Sequence, residues 1–463
     1  MLSASDHSPA TPTAGRVLGV GVPTHEQRQV GWQQAHRGGT AEDRKLRMIV
    51  VSVPPHIDAL DPVLPNDLLA ECDTAVRMVA RLDETSGERL TSLATLLLRA
   101  ESVASSKIEH EDASIEDFAR ALHGVKANSS ATSMVAAAGA MDRLLDGPID
   151  AERIRDAHDR LMAHDPTERS FAGRWRDMQN WIGGSNYSPR NALYVPPPPE
   201  LVEEYMDDLV RFANRTNLPA LAQAAIAHAQ FESIHPFTDG NGRVGRALAG
   251  AVIRQRGVAR RVVVPIASAL VARRDEYFET LNRYRDGDAE PIIRAFARSS
   301  IVAAEEASVT AERLVVMPQQ WAEATASPRA GSAPAALLAS LPSSPVFTAD
   351  DIESRLGLST PATYRAIERL ANAGVIRPLT SRTRNQIWGT GDLLDELEDL
   401  GVRIGARSAE ILSPTNQPAV APERSPQQRS AVLQGSVFSP AESQVHPATP
   451  SAPHHPRPPS PAP

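Results

Sequence analysis

The feature that most constrains this chain is a twelve-residue turn, HPFTDGNGRVGR, which runs from His235 to Arg246 between two apolar helical patterns. In both patterns, apolar residues recur at three- and four-residue spacing, as in helices that bury one face. These residues are Leu221, Ala224, Phe231 and Ile234 before the turn and Val244, Leu248, Ala251 and Val252 after it. Two buried helices would hold the turn rigidly, as a catalytic loop requires.

Helical patterns also dominate the rest of the chain as far as residue 323. They cover residues 68–82, 90–100, 149–162, 201–213, 218–233, 243–256, 275–284 and 291–323. A weakly alternating segment at residues 47–55 indicates one short strand. Residues 183–199 are rich in Gly, Pro and Asn, which favours a short hairpin. We therefore predict a mainly α fold that carries one small β-hairpin flap.

Both ends of the chain lack hydrophobic periodicity. Residues 1–45 are rich in Ser, Thr, Gly and Gln, and residues 413–463 in Pro, Ser, Ala and Gln, so we predict two disordered tails. The sequence has neither a signal-peptide pattern nor an apolar run of about 18 residues, the length of a membrane span. We therefore expect a cytoplasmic protein without a membrane partner. The net charge of -8 gives no general attraction to nucleic acid.

A second pattern follows residues 324–335, a stretch with Pro, Ser and Gly that we interpret as a linker. Residues 336–405 predict two helices joined by a turn at Gly357 and then a two-stranded ribbon, which is the arrangement of a winged helix-turn-helix domain. The arginines of this module that would contact phosphates are Arg365, Arg369, Arg377, Arg382 and Arg384. Acidic neighbours offset much of this charge, so two kinds of partner remain open, DNA or another protein.

The twelve-residue turn leads into a site suited to an anion. Gly240 and Gly242 let the backbone approach a ligand closely. The helix that starts there offers free amides and the positive end of its dipole. Arg243 and Arg246 lie three residues apart on one side of that helix, where their planar guanidinium groups are able to bridge phosphate oxygens. The pattern predicts a site for two or more phosphates.

Two further side chains indicate chemistry at those phosphates. Asp239 comes just before the helix, and a lone carboxylate beside phosphates is the usual protein ligand of Mg²⁺, which takes its other ligands from water and nucleotide. His235 is suited to accept a proton from an attacking hydroxyl near neutral pH. Each residue alone has an ordinary structural explanation, such as a cap, a plain turn or a solvated charge. Together they favour transfer of a phosphate-linked group.

The turn matches the motif of the Fic family, HxFx(D/E)GNGRxxR, at every defined position, and the chain resembles Fic/DOC proteins to about residue 310. The resemblance implies a Fic fold with residues 46–130 as an N-terminal helical segment and residues 131–323 as the catalytic core. It also implies transfer of AMP from ATP, with Mg²⁺, to a Ser, Thr or Tyr hydroxyl of a target protein or of the chain itself. His235 would be the base and Asp239 the Mg²⁺ ligand. The implied phosphate-binding residues are Gly240, Asn241, Gly242, Arg243 and Arg246.

A second stretch, from Ser105 to Glu109 in ASSKIEHED, resembles the inhibitory motif (S/T)xxxE(G/N) of such proteins. The resemblance implies that Glu109 pairs with Arg246, displaces the γ-phosphate and leaves ATP in an unproductive pose. This chain has His110 where glycine or asparagine is usual. An exposed, charged helix turn is the alternative interpretation. The resemblance further implies that Tyr277 contacts the adenine and that the flap holds a target peptide by strand addition.

Other functions remain open from the sequence alone. Relatives with altered loops transfer different phosphate-linked groups, and some relatives remove AMP. Outside enzymology, the chain would be a DNA-binding regulator that uses its Fic domain as a nucleotide sensor. The complete loop favours AMP transfer, because a sensor has no need of His235. The sequence leaves open the identity of the target protein and the oligomeric state, a dimer included.

Overall fold

The computed structural model describes residues 20–34, 38–85, 90–124, 128–381 and 385–411. The predicted tail at residues 413–463 lies outside the described residues, as do residues 1–19 of the first predicted tail and the arginines Arg382 and Arg384. Within the described ranges, no helix is both long enough and apolar enough to cross a membrane.

Helices make up most of the described chain, so the prediction of a mainly α fold is confirmed. Before the turn they are α1 (Ala41–Lys45), α2 (Asn66–Thr85), α3 (Leu90–Ile108), α4 (Ile115–Leu122), α5 (Ser129–Leu145), α6 (Ala151–Met162), α7 (Val202–Ala213) and α8 (Ala220–Ile234). After it they are α9 (Asn241–Gln255), α10 (Ile266–Val271), α11 (Arg274–Arg285), α12 (Glu290–Ala324), α13 (Ala333–Ser340), α14 (Ala349–Leu356), α15 (Thr360–Asn372) and α16 (Gly391–Ile411). The strands are β1 (Glu26–Gly31), β2 (Met48–Val53), β3 (Val346–Phe347), β4 (Ile376–Pro378) and β5 (Trp388–Thr390).

The centre of the fold is α8, in which every residue from Leu221 to Ile234 is buried. It packs against α7, α9 and α12, and α9 in turn packs against α3, α5 and α6. A helix that is buried on all sides has no polar face, which is why Ala dominates α8 beside its larger apolar residues. The two helices that flank the turn are thus both fixed in the core.

The prediction of disorder over residues 1–45 is wrong for the part that the structure describes. β1 pairs antiparallel with β2, from Glu26 opposite Val53 to Gly31 opposite Met48, and α1 follows with a capping box at Thr40. β1 is an edge strand whose side chains are nearly all exposed. Main-chain pairing with β2 holds it, so it needs no apolar alternation, and composition alone could not reveal it.

The predicted β-hairpin flap is a loop closed by a single bridge between Ile182 and Tyr194. Gly183 and Gly184 both have positive φ, and prolines remove backbone donors further along, so no ladder forms. Side chains hold the loop instead. The Ser188 hydroxyl donates to Asp43 in α1 (2.6 Å), and the Tyr194 hydroxyl donates to the carbonyl of Ser233 at the end of α8 (2.6 Å).

The C-terminal elements follow the predicted order of helix, turn, helix and ribbon. Gly357 ends α14 in a left-handed conformation (φ 64°), and α15 begins three residues later with a proline in its first turn. The three short strands form one antiparallel sheet in the order β3, β5, β4. The region predicted as a linker contains the start of α13 at Ala333. After β5, α16 returns to pack against α12, α10 and α3.

Candidate active site

The twelve-residue turn consists of a loop, His235 to Gly240, followed by the first turns of α9, and the loop begins and ends in left-handed backbone conformations. His235 ends α8 with φ 51°, and its N–H donates to the carbonyl of Phe231 (2.8 Å). Gly240 precedes α9 with φ 73°, and a β-carbon there would lie 2.9 Å from the side chain of Leu161. A left-handed non-glycine residue carries strain, which persists only where its surroundings fix the chain. His235 is such a residue.

The side chain of Asn241 fixes the loop from within. Its Oδ1 accepts from the N–H of Phe237 and its Nδ2 donates to the carbonyl of the same residue, both at 2.9 Å. Asn241 is buried, so its amide is fully engaged inside the protein. The side chain of Asn241 therefore fixes the backbone of the loop. Its main chain remains part of the N-terminus of α9.

Arg176 and Asn180 hold the same loop from outside, and sequence reasoning missed both. The buried guanidinium of Arg176 donates from Nε to the carbonyl of His235 (2.8 Å). The backbone N–H of Arg176 donates to the carbonyl of Pro236 (2.9 Å). Asn180 donates to the carbonyl of Phe237 (2.9 Å). Burial lowers the pKa of Arg176 to about 10, so it stays charged at neutral pH. Neither residue carries a spacing signal that links it to the turn.

His158 supports the loop next to Asp239. The N–H of Gly173 donates to its Nδ1 (3.0 Å), so Nε2 carries the proton and donates to the carbonyl of Asp239 (3.1 Å). Its ring stacks on Phe237 with centroids 3.7 Å apart. Burial lowers the pKa of His158 to about 4. This histidine is a structural support, and it holds the Asp239 backbone while leaving that carboxylate outside the core.

His235 itself is nearly buried. Its pKa is lowered to about 3, first by burial and then by the positive charges of Arg176 and Arg285, so the imidazole is neutral at pH 7. Its Nδ1 lies 3.9 Å from a carboxylate oxygen of Glu232, and burial raises the pKa of Glu232 to about 7. A neutral imidazole is the form that accepts a proton.

The two arginines of α9 lie side by side but have different partners. Arg243 donates to the hydroxyl of Ser133 in α5, and its other terminal nitrogen is 3.7 Å from the Asp239 carboxylate. The Arg246 guanidinium is buried. Its Nε donates to the Ser105 hydroxyl (2.9 Å) and its Nη2 to the Ser105 carbonyl (2.8 Å). Both groups therefore lie at the first turns of α9, where an anion would bind.

Glu109 already places an anion there. Its carboxylate accepts from Arg246 Nη2 at 2.8 Å, and a β-carbon on Gly242 would lie only 2.0 Å from Glu109 Oε1. Gly242 is thus required for this close approach. The structure has the pairing of Glu109 with Arg246 that the resemblance implies, and it adds the contacts of Ser105 with the same guanidinium.

His110 explains how the segment ends without the usual small residue. Its N–H donates to the carbonyl of Lys107 and the N–H of Glu111 donates to that of Ser106, the bond pattern of a Schellman motif. The residue at the left-handed position of this motif is His110, with φ 62°. Glycine and asparagine are favoured at that position because they adopt left-handed angles at least cost. His110 therefore keeps the backbone geometry at the expense of strain.

Tyr277, the residue that the resemblance places at the adenine, is nearly buried in the structure. It is 2% exposed, and its hydroxyl is 2.6 Å from Nε2 of His228 in α8. Burial raises the pKa of Tyr277 above its ordinary value. The structure therefore brings together the predicted site residues of the turn with Ser105 and Glu109, whereas the Tyr277 hydroxyl is turned towards His228 in the core.

Asp239 is the residue of this site that fits a metal ion. Its carboxylate is 57% exposed and its contact with Arg243 is long. Among the described residues, no group of three or more His, Cys, Asp or Glu side chains is placed to bind a metal. A single exposed carboxylate suits a hard cation that brings water and phosphate oxygens as its remaining ligands, and this is how Mg²⁺ binds with nucleotides.

The fold and the site define a class of helical protein in which a buried loop presents a neutral histidine beside an anion-binding helix N-terminus. Residues 148–253 match the model of the Fic/DOC family. This segment is therefore a Fic/DOC domain, and the family resemblance noted from the sequence is confirmed there.

Curated relatives agree over a similar length. The protein adenylyltransferase Fic of Nematostella vectensis is 34% identical over 154 residues, which are 32% of this chain and 32% of that protein. The protein adenylyltransferase fic-1 of Caenorhabditis elegans is 32% identical over 156 residues, 33% of this chain and 27% of that protein. The chain thus matches about a third or less of these relatives' length. A solved Fic family protein from Desulfovibrio desulfuricans aligns with a TM-score of 0.48 at 21% identity, over 71% of this chain and 97% of that one.

Proposed function

We propose that this protein is an adenylyltransferase that moves AMP from ATP to a Ser, Thr or Tyr hydroxyl of a target protein, and that Glu109 restrains it. The observation that carries the proposal is the position of the Glu109 carboxylate, on Gly242 and Arg246 at the N-terminus of α9. A carboxylate is a small anion, and the guanidinium that holds it, together with the amides of this helix N-terminus, would bind phosphates. The relatives named as protein adenylyltransferases support the nucleotide donor and the protein acceptor.

The proposed reaction uses the neutral ring of His235. The acceptor oxygen attacks the α-phosphorus, the bond from that phosphorus to the oxygen bridging to the β-phosphate breaks, and pyrophosphate leaves. The acceptor proton passes to Nε2 of His235, because Nδ1 is buried towards Glu232. Arg243 and Arg246 hold the β- and γ-phosphates, with backbone amides at Gly240, Asn241 and Gly242 beside them.

Mg²⁺ would be held by Asp239. When bound, the ion would supply positive charge that offsets the charge of the phosphates. The loop contributes the orientation of that carboxylate, since the Asp239 carbonyl is bonded to His158.

We further propose that β3 to β5 with α14 and α15 form a winged helix that docks protein rather than DNA. Two arginines that would contact phosphates are engaged inside the chain. Arg369 donates to the carbonyl of Thr325 (2.6 Å), and Arg377 pairs with Glu116 and Asp395. Filter binding with duplex DNA tests this point, and a salt-dependent affinity would favour the DNA-binding alternative.

The proposed activity is tested with purified protein, Mg²⁺ and ATP labelled separately at the α- and γ-phosphates. Transfer is measured to the chain itself and to proteins of a cell lysate. We expect label from the α position only. His235→Ala should lower the transfer rate by about 10²- to 10⁴-fold, and Glu109→Gly should raise it by about fivefold or more.

A matched control is Glu111→Gln, which removes a carboxylate two residues from Glu109 and should leave the rate unchanged. Label from the γ position would replace the proposal with phosphorylation. Measurable ATP binding without transfer by wild type or Glu109→Gly would favour the nucleotide-sensor alternative. Release of AMP from a labelled target by wild type would favour the AMP-removing alternative.

A further inference from the structure

The inhibitory carboxylate is connected to a contact with the C-terminal elements by a short piece of chain. Glu109 directly follows the end of α3 at Ile108, and α4 begins six residues later at Ile115. The carbonyl of Ile108 accepts a hydrogen bond from Arg274 Nε (2.6 Å). The backbone hydrogen bonds of His110 and Glu111 close the turn that follows. A displacement of α4 therefore acts on the backbone that carries Glu109.

Polar side chains connect α4 to the C-terminal elements at two points of the ribbon. Arg120 donates to the carbonyl of Leu379, just after β4, at 2.9 Å. Glu116, one turn earlier on α4, pairs with Arg377 of β4 at 3.2 Å. At the end of α4, His123 lies 3.4 Å from Asp351 of α14. These contacts join residues more than 200 positions apart in sequence.

Apolar packing completes the same contact. Ala119, on the face of α4 between Glu116 and Arg120, is fully buried. It belongs to a small apolar cluster that is separate from the main core and is otherwise formed by the C-terminal elements. The other members are Val346, Leu379, Ile387 and Leu394. The ribbon of β4 and β5 therefore contacts α4 through both main-chain and side-chain atoms.

The face of α3 that points away from Arg246 borders open space. A cavity of about 680 Å³ lies there between α3, α10 and α16, lined by Val103 and Lys107 of α3 and by Leu397 and Val402 of α16. Well-packed elements resist movement, whereas a gap removes that resistance on one side. The end of α3 therefore borders free space on the side away from Arg246.

We propose that the C-terminal ribbon holds Glu109 on Arg246 through α4, so that loosening the contact between α4 and the ribbon activates the enzyme. The inference rests on the proposed function, because it concerns regulation of that site. The element with two arrangements is the end of α3, with the carboxylate either on Arg246 or withdrawn. The α4 contact biases that equilibrium without touching nucleotide or target.

The test uses the full chain with Glu116→Ala and Arg120→Ala combined. The matched control combines Asp73→Ala and Arg77→Ala, an exposed acidic and basic pair on α2. Transfer from α-labelled ATP and amide hydrogen exchange of residues 105–114 are both measured, with melting temperatures to show that each variant is folded. We expect the α4 variant to transfer AMP about fivefold faster or more, with faster exchange in residues 105–114, and the control to match wild type in both.

Adding Glu109→Gly separates the inference from the function on which it rests. If α4 acts through Glu109, the triple variant is no faster than Glu109→Gly alone. An α4 variant at the wild-type rate, beside an active Glu109→Gly, overturns the inference and leaves the proposed function intact. Rate increases that multiply also overturn it, because α4 would then act elsewhere. If Glu109→Gly itself has no effect, the proposed restraint fails, and unchanged exchange in the α4 variant would show that the mechanical link fails as well.

Discussion

The loop from His235 to Arg246 and the segment from Ser105 to His110 meet at Arg246, but they are held in different ways. The loop is bonded from several directions, by Asn241 within it and by Arg176 and Asn180 around it. The inhibitory segment depends on one helix end, a strained His110 and a carboxylate that is one-third exposed. The proposed catalytic groups are therefore preformed, and the proposed control rests on the part that is easier to move.

Removing the side-chain amide of Asn241 should give the largest loss of stability in the loop from His235 to Arg246. Asn241→Ala leaves the N–H of Phe237 buried without its partner and removes one of the two donors to the Phe237 carbonyl, so we expect a loss of about 2 to 4 kcal/mol in the free energy of unfolding. Urea unfolding measures it. Asn372→Ala, at an exposed position, should change stability by less than about 0.5 kcal/mol. Equal losses in the two variants would contradict the clamping role.

Acid should lower the free energy of unfolding through four buried histidines. Burial lowers the pKa of each below the ordinary 6.5, to about 4 in His158 and to about 3 in His25, His228 and His235. The unfolded chain binds these protons first, so stability is lost as pH falls from about 6.5 towards 4.

Two buried carboxyls act in the opposite direction. Burial raises the pKa of Glu101 to about 8 and that of Glu232 to about 7. Each group therefore stabilises the folded protein increasingly as pH falls from 8 to about 4.5. Because four histidines oppose two carboxyls, we expect a net loss of about 3 kcal/mol between pH 7 and pH 5. Urea unfolding at both pH values checks this, and equal or greater stability at pH 5 would contradict it.

Tyr277 tests where the nucleotide site ends. Tyr277→Phe leaves Nε2 of His228 without its partner and should lower stability by about 1 to 3 kcal/mol. ATP affinity, measured by calorimetry in the Glu109→Gly background, should stay within twofold. An affinity loss of tenfold or more, at unchanged stability, would support the adenine contact implied by the family resemblance.

The smallest expected change in stability is that of His110→Gly, in the segment from Ser105 to His110. His110→Gly relieves a left-handed histidine and should raise stability by about 0.5 to 1 kcal/mol. Firmer placement of Glu109 should also slow AMP transfer. His164→Gly, at an exposed position without positive φ, should give no stabilisation. A faster His110→Gly enzyme would mean that the strain helps to hold Glu109 in place.

The sequence by itself determined the helical class and the set of residues that the turn brings together. Periodicity marks the helices because a buried face must repeat every three to four residues. The residues of the turn are contiguous, so their proximity needed no fold. The motif at Ser105 and Glu109 gave the pairing with Arg246 through family resemblance rather than through any local physical signal.

Only the tertiary structure decided how these parts are held. Arg176 lies 59 residues from the carbonyl of His235 to which it donates, and Arg120 lies 259 residues from its acceptor on Leu379. β1 was missed because an edge strand is stabilised by main-chain pairing that leaves no pattern in its side chains. Contacts of this kind depend on where folded elements meet, and the spacing of residues along the chain carries no record of them.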